Sequence, residues 1–136
     1  MAVVNSSTFN FAEVVERVLQ DYGYEVADEM FEALDEVSKE TVKKLKAASR
    51  SAVGGSGEYA SGWTRTVEKK RLSTFAKIHG KKPTYALAHL LEFGHANRRG
   101  GRTFGSTPAH PHIAEVNEWA QNEAYDRFVE KVEQRL

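Results

Sequence analysis

An α+β fold is predicted for this chain by three observations. Apolar residues recur at helical spacing through the N-terminal third, a glycine-rich break at Gly54-Gly55-Ser56-Gly57 is followed by β-branched and aromatic residues, and helical spacing returns at the C-terminus. The expected architecture is two N-terminal helices, a small antiparallel sheet, a short central helix or strand, and a C-terminal amphipathic helix.

In chain order, Asn10 and Glu13 have the spacing of a capping box. Phe11, Val14, Val15, Val18, Leu19 and Tyr22 follow as one apolar face, which Gly23 stops or kinks. The spacing of Val26, Met30, Ala33, Leu34, Val37, Thr41, Leu45 and Ala48 predicts a longer helix over 24–49. Its acids come first and its bases last, an order that suits the helix dipole. Beyond the Gly/Ser connector, 63–67 and 72–79 read as two strands joined by a basic turn. Pro83 fits a helix start. The run from Leu87 to Phe93 satisfies both helical spacing and strict alternation; we expect a helix to Leu91 that passes into extended chain near Gly94. A mobile basic loop is expected over 96–107, stiffened afterwards by Pro108 and Pro111. Ile113, Val116, Trp119, Ala120, Ala124, Phe128 and Val132 mark the last helix. The whole chain, 1–136, is expected to be one domain. It divides into a helical part over 1–52, a connector over 53–58, a β-rich part over 59–112 and a helix over 113–136.

Composition narrows the function classes. The sequence contains no cysteine, which removes disulfides, thiolate chemistry and cysteine-dependent zinc sites. No apolar run approaches the ~18 residues of a membrane helix, and residues Met1 to Ser6 show no signal-peptide pattern, so no membrane association is expected. Net charge is zero but unevenly spread: ten acids lie between Glu13 and Glu40, whereas residues 41–105 hold fourteen bases against Glu58, Glu68 and Glu92. Blocks of opposite sign predict charge-complementary contacts, within the fold or between copies.

The densest signal lies between His89 and Ile113. His89, Glu92 and His95 are three residues apart and, with His110 and His112, suggest a metal cluster and hence a metal-dependent hydrolase. Against this, Gly94 breaks the helix before His95, and no HExxH pattern is present. No cofactor is expected. Glu92, embedded among Leu90, Leu91 and Phe93, is either a general base or an acid needing a hydrogen-bonding partner; we favour the partner. No nucleophile elbow or phosphate-binding loop is present, so no enzymatic activity is expected. Arg98, Arg99 and Arg102, hinged by Gly100 and Gly101, are the expected partner-contact residues. They suit an acidic protein surface, such as the acidic first helices of a neighbouring copy. The rival reading is a nucleic-acid-binding module built on the basic 41–105 block, with Phe104 stacking on a base. Glu92, Gly94, His95, Pro111 and His112 are expected to structure the loop. Leu90, Leu91, Phe93 and Trp119 are expected in the core.

Several of these segments together resemble a known family. They are Tyr59-Ala60-Ser61-Gly62-Trp63, His89-Leu90-Leu91-Glu92-Phe93-Gly94-His95-Ala96, Arg98 with Gly100-Gly101-Arg102, and Pro111-His112-Ile113-Ala114 leading into the last helix. Over about residues 59–136 the chain resembles the small head–tail joining proteins of long-tailed bacteriophages, also called neck, tail-completion or minor tail components. The resemblance implies a structural, non-enzymatic virion protein, assembled in the host cytoplasm. It implies tail and head-completion proteins as partners and self-association around the tail axis, with DNA contact less favoured.

Overall fold

The computed structural model describes residues 8–10, 26–69 and 74–135. Among the described residues nine elements follow one another: β1 (Thr8–Asn10), α1 (Ala27–Val53), α2 (Glu58–Ser61), β2 (Trp63–Glu68), β3 (Phe75–Gly80), α3 (Thr84–Phe93), β4 (His95–Arg99), β5 (Arg102–Thr107) and α4 (Ala114–Arg135). The fold class is α+β, as the sequence predicts. The expected first helix, around 11–22, lies outside the described residues.

The layers follow from burial. On α1, Met30, Ala33, Leu34, Val37, Ser38, Thr41, Leu45 and Ser49 are buried, a stripe at helical spacing. One side of that stripe meets the inward residues Trp63, Ala76 and Ile78 of an antiparallel sheet ordered β1-β3-β2. The other side meets Val116, Ala120, Ala124, Phe128 and Val132 of α4. Helix α1 is thus the middle layer, with the sheet on one side and α4 on the other. Its buried hydroxyls are satisfied locally: Ser49 Oγ accepts from Trp63 Nε1 at 2.9 Å, and Thr41 Oγ1 donates to the Val37 carbonyl at 2.7 Å.

Two sequence expectations are corrected by the structure, and one strand is added. Helix α1 runs to Val53, four residues beyond the expected end at Ser49, and stops at the first glycine of the expected break, where the Gly54 amide donates to the Arg50 carbonyl at φ +70°. Residues Thr8–Asn10 form a strand on β3, a long-range pairing that no local pattern announces. The segment expected as a mobile loop over 96–107 is a β-hairpin, β4–β5, with a register of its own.

Among the described residues the acids of α1 are paired largely by bases of the last helix, and from the basic 41–105 block Arg65 and Lys69 reach them. Helices α1 and α4 run antiparallel: Arg135 reaches Glu29 at one end and Lys44 lies over the Trp119 ring, 4.4 Å from its centroid, towards the other. Between them Arg127 pairs with Glu36, Glu40 and Glu123, and Lys131 pairs with Glu32 and Glu36. Asp35 receives Arg65 from β2 at 2.6 Å and Lys39 from its own helix at 3.4 Å, and Asp28 pairs with Lys69. The acidic face of α1 is therefore occupied by this chain's own bases.

One of these pairs has a pH signature. The hydrogen bond from Arg65 holds the Asp35 carboxyl below its ordinary value near 3.8, outweighing partial burial. A depressed folded pKa means that the unfolded chain binds the proton more readily. The stabilisation is therefore complete above about pH 4 and lost as pH falls through the folded value. The urea midpoint of the wild type is expected to fall on acidification below about pH 4. In Asp35→Asn, part of that dependence should be gone; an unchanged profile in the variant would remove Arg65–Asp35 as a contributor.

Candidate interaction site

The site is the junction where α3 hands over to the hairpin and the hairpin returns to α4. Its centre is Glu92, only 4% exposed. Helical spacing turns Thr84, Ala88 and Glu92 inward on one face of α3. Glu92 Oε1 accepts from the amides of His112 at 2.7 Å and Ile113 at 2.9 Å, and Oε2 accepts from the Ala114 amide at 3.2 Å. These amides lead into and open α4, where N–H groups lack helical acceptors and the dipole favours negative charge. An acid on one helix thus caps another some twenty residues later, with the whole hairpin between them.

His112 completes the junction. Its Nδ1 donates to the His110 carbonyl at 2.7 Å, which leaves Nε2 to accept from the Tyr59 hydroxyl, also at 2.7 Å. The Tyr59 ring stands edge-on to both His112, at 5.5 Å, and Trp63, at 6.2 Å. Burial, and then the nearby Glu92 charge, push the Tyr59 phenol up, so it stays a hydroxyl donor. Tyr59 is held in turn by Thr84, whose hydroxyl donates to its carbonyl at 2.6 Å. A Cβ at Gly62 would collide with that threonine side chain. The chain Thr84–Tyr59–His112, with Glu92 beside it, is buried throughout, and its geometry fixes two chain segments to each other.

The hairpin springs from this anchor. Gly94 has φ +74°, and a Cβ there would lie 2.7 Å from the Thr107 carbonyl oxygen and 2.9 Å from the Ala109 amide nitrogen. A side chain would thus push apart the two ends of the hairpin. The His110 amide donates to the Leu91 carbonyl at 2.7 Å and closes the base. At the tip Gly100 and Gly101 both have positive φ, as the twist-matched two-residue turn requires, and Arg99 pairs with Arg102 across it. A bulge between Ala96 and Arg98 sets Asn97 against Phe104 and Gly105, where Gly105 has φ +83° and the Asn97 side-chain carbonyl accepts from the Thr107 hydroxyl.

The sequence-predicted residues divide sharply. Glu92, Gly94, Gly100, Gly101 and His112 occupy the positions just described. His95 opens β4 with its Nδ1 buried and without a hydrogen-bond partner among the described residues; Pro111 is exposed beside the junction. Arg102 is exposed on the hairpin, and the side chains of Arg98 and Arg99 lie outside the described residues. Leu91 and Trp119 are partly buried against the core and Leu90 is half-buried. Phe93, expected in the core, is 59% exposed. The helical turn that brings Glu92 in swings Phe93 out, where it packs against His89 at 5.0 Å. The histidine–glutamate set is likewise separated by the fold: His89 faces outward, Glu92 inward, and His95 lies beyond the glycine. No group of three or more metal-ligating side chains occurs among the described residues. Tyr59 as the partner of His112 was missed. The two are fifty-three positions apart, and the only hint was its place beside Trp63 at the start of the β region.

The sequence profile of the family described as "Bacteriophage HK97-gp10, putative tail-component" matches residues 11–94. The chain belongs to this phage tail-component family. Its members are structural tail components, so this protein belongs in the virion, in contact with other phage proteins. No curated protein and no solved structure matches the chain. Membership covers α1, the three-stranded sheet's β2 and β3, and α3 through Gly94. The match stops where the hairpin begins, so the GGR and PHI segments that carried part of the sequence resemblance lie beyond the matched residues. No described helix is long and apolar enough to cross a membrane.

Proposed function

We propose that this tail component completes the tail and joins it to the DNA-filled head, acting in several copies around the tail axis with the β4–β5 hairpin as its contact arm. The observation that carries the reading is the anchored hairpin. A two-stranded hairpin is marginal in water on its own, and this one packs mainly on itself, with most of its described residues exposed. Its base is nevertheless locked to the core by Glu92, Gly94 and His112. An arm whose root is rigid and whose blade is solvent-exposed is suited to a partner, and Arg98, Arg99 and Arg102 place positive charge near its tip. The whole chain acting as a single domain fits the continuous core that runs from Val26 to Val132.

Deleting the gene in its phage tests the assignment by electron microscopy of lysates. DNA-filled heads and assembled tail tubes that fail to unite are expected, with infectious titre lost. Joined, infectious virions from the deletion would refute the neck role while leaving family membership intact.

A further inference from the structure

The partner that the hairpin surface meets is open to argument from the charges left over once the internal pairs are counted. The acids of α1 are engaged by Arg127, Lys131, Arg135, Arg65, Lys39 and Lys69. Helix α4 is different. Glu115, Glu118, Asp126, Glu130 and Glu133 are all exposed, recur at helical spacing on the side facing away from α1, and make no ion pair among the described residues. The bases of α4 point the other way, into α1. The outer stripe is thus uniformly acidic, with the half-buried Trp119 and Tyr125 beside its middle.

A surface of contrasting character is built on α3. Tyr85, Leu87 and Phe93 are the exposed large hydrophobic residues among the described ones, and all three lie on this ten-residue helix. Tyr85, His89 and Phe93, four apart, form one stripe that Ala86 and Leu90 widen, and none of these side chains is acidic or basic apart from the histidine. A helix this apolar with one face open is an interface in waiting. It is flanked by positive charge at both ends: exposed Lys81 and Lys82 before it, and the hairpin with exposed Arg102 after it.

We propose that the α3–hairpin surface of one copy docks on the outer face of α4 of the next copy. Charge complementarity selects this occupant: the basic–apolar–basic surface meets an acidic stripe flanked by the half-buried Trp119 and Tyr125. The two patches are different surfaces of one chain, so the contact is head-to-tail and propagates, and a rotation that closes makes a ring. The inference rests on the hairpin being a contact arm; it does not need the neck assignment. Among the described residues it takes the outer face of α4, rather than the paired acids of α1, as the acceptor.

The absence of cysteine makes a direct test simple. In phage particles or tails carrying Arg102→Cys together with Glu118→Cys, a flexible bismaleimide should give a ladder of covalent multimers, whereas either single substitution should give none beyond a dimer. Particles that contain the doubly substituted subunit but yield only monomer would overturn the proposal. A charge exchange supplies the independent arm. Purified Glu115→Lys/Glu118→Lys/Asp126→Lys and Lys81→Glu/Lys82→Glu/Arg102→Glu should each lose self-association by at least about tenfold, since like charges now face each other. Mixed together they should recover it, because each reversed face then finds a reversed partner. Recovery on mixing supports the pairing; assembly of either variant alone at wild-type strength, or no recovery from the mixture while the wild type assembles, rejects it. A loss of head–tail joining in the deletion phage with no ladder would reject this interface alone.

Discussion

Glu92→Leu is expected to destabilise the subunit by about 3 kcal/mol or more. The carboxylate accepts from three successive amides at the start of α4, and two of those bonds are buried. Leucine supplies similar bulk but no acceptor. Each buried amide left without a partner costs about 1–3 kcal/mol, and the favourable interaction of a negative charge with the helix N-terminus, about 0.3–1 kcal/mol, goes as well. Glu92→Gln keeps one carbonyl oxygen, so it should fall between the two. Glu118→Gln, exposed on α4, is the control and should stay within about 0.5 kcal/mol of wild type. Urea denaturation followed by far-ultraviolet circular dichroism reads all three. If Glu92→Leu unfolds at the wild-type midpoint, the carboxylate does not hold α4 to α3, and the rigid root of the hairpin is lost as an argument.

Replacing Arg98, Arg99 and Arg102 together with alanine is expected to separate function from stability. Surface substitutions usually cost within about 0.5 kcal/mol each, Arg102 is exposed, and the strand pairing of Arg98 with Thr103 and Arg99 with Arg102 is a backbone ladder that alanine retains. The melt should therefore shift little. A desolvated arginine anchor in an interface is worth about 2 kcal/mol or more, about thirtyfold in affinity, and three removed together should leave heads and tails apart as the deletion does. Counting joined particles in lysates and melting the purified variant are the two measurements. Joined particles at wild-type frequency would show that the neck role, if the deletion supports it, does not use these arginines. A collapse of the melt would show instead that they hold the hairpin in place.

Much of the fold was legible in the chain. The α1 stripe, the two central strands and the α4 stripe each follow from a local period, because one face of each element is buried against a neighbour and selection for burial writes itself at 3.6 or 2 residues. The end of α3 at Gly94 was legible for the same kind of reason: only glycine is at ease at positive φ with the hairpin's other end so close. The candidate site was half legible. Glycines and charged residues drew attention to 89–113, Glu92 stood out as an acid in apolar surroundings that needs a partner, and His112 as one of the histidines that fix the segment by hydrogen bonds.

What the sequence by itself determined was therefore the fold class, the three longer described helices, the two central strands, the lack of cysteine and the family. The rest was decided by tertiary structure. Phe93 and Glu92 exchange the places their hydrophobicity suggests, because three free amides of a helix twenty residues later reward a buried carboxylate more than the core rewards one phenyl ring. Residues 96–107 pair as a hairpin because Gly100, Gly101 and Gly105 supply the positive φ angles that a tight turn and a bulge require, whereas composition alone suggested a loop. The acidic block of α1 is taken up by α4 within the same chain, since the antiparallel packing of the two helices sets Glu29, Glu36 and Glu40 opposite Arg135, Lys131 and Arg127. Which charges remain for a partner depends on which way each helix is rotated against its neighbour, and that rotation is set by packing, after local sequence has done its part.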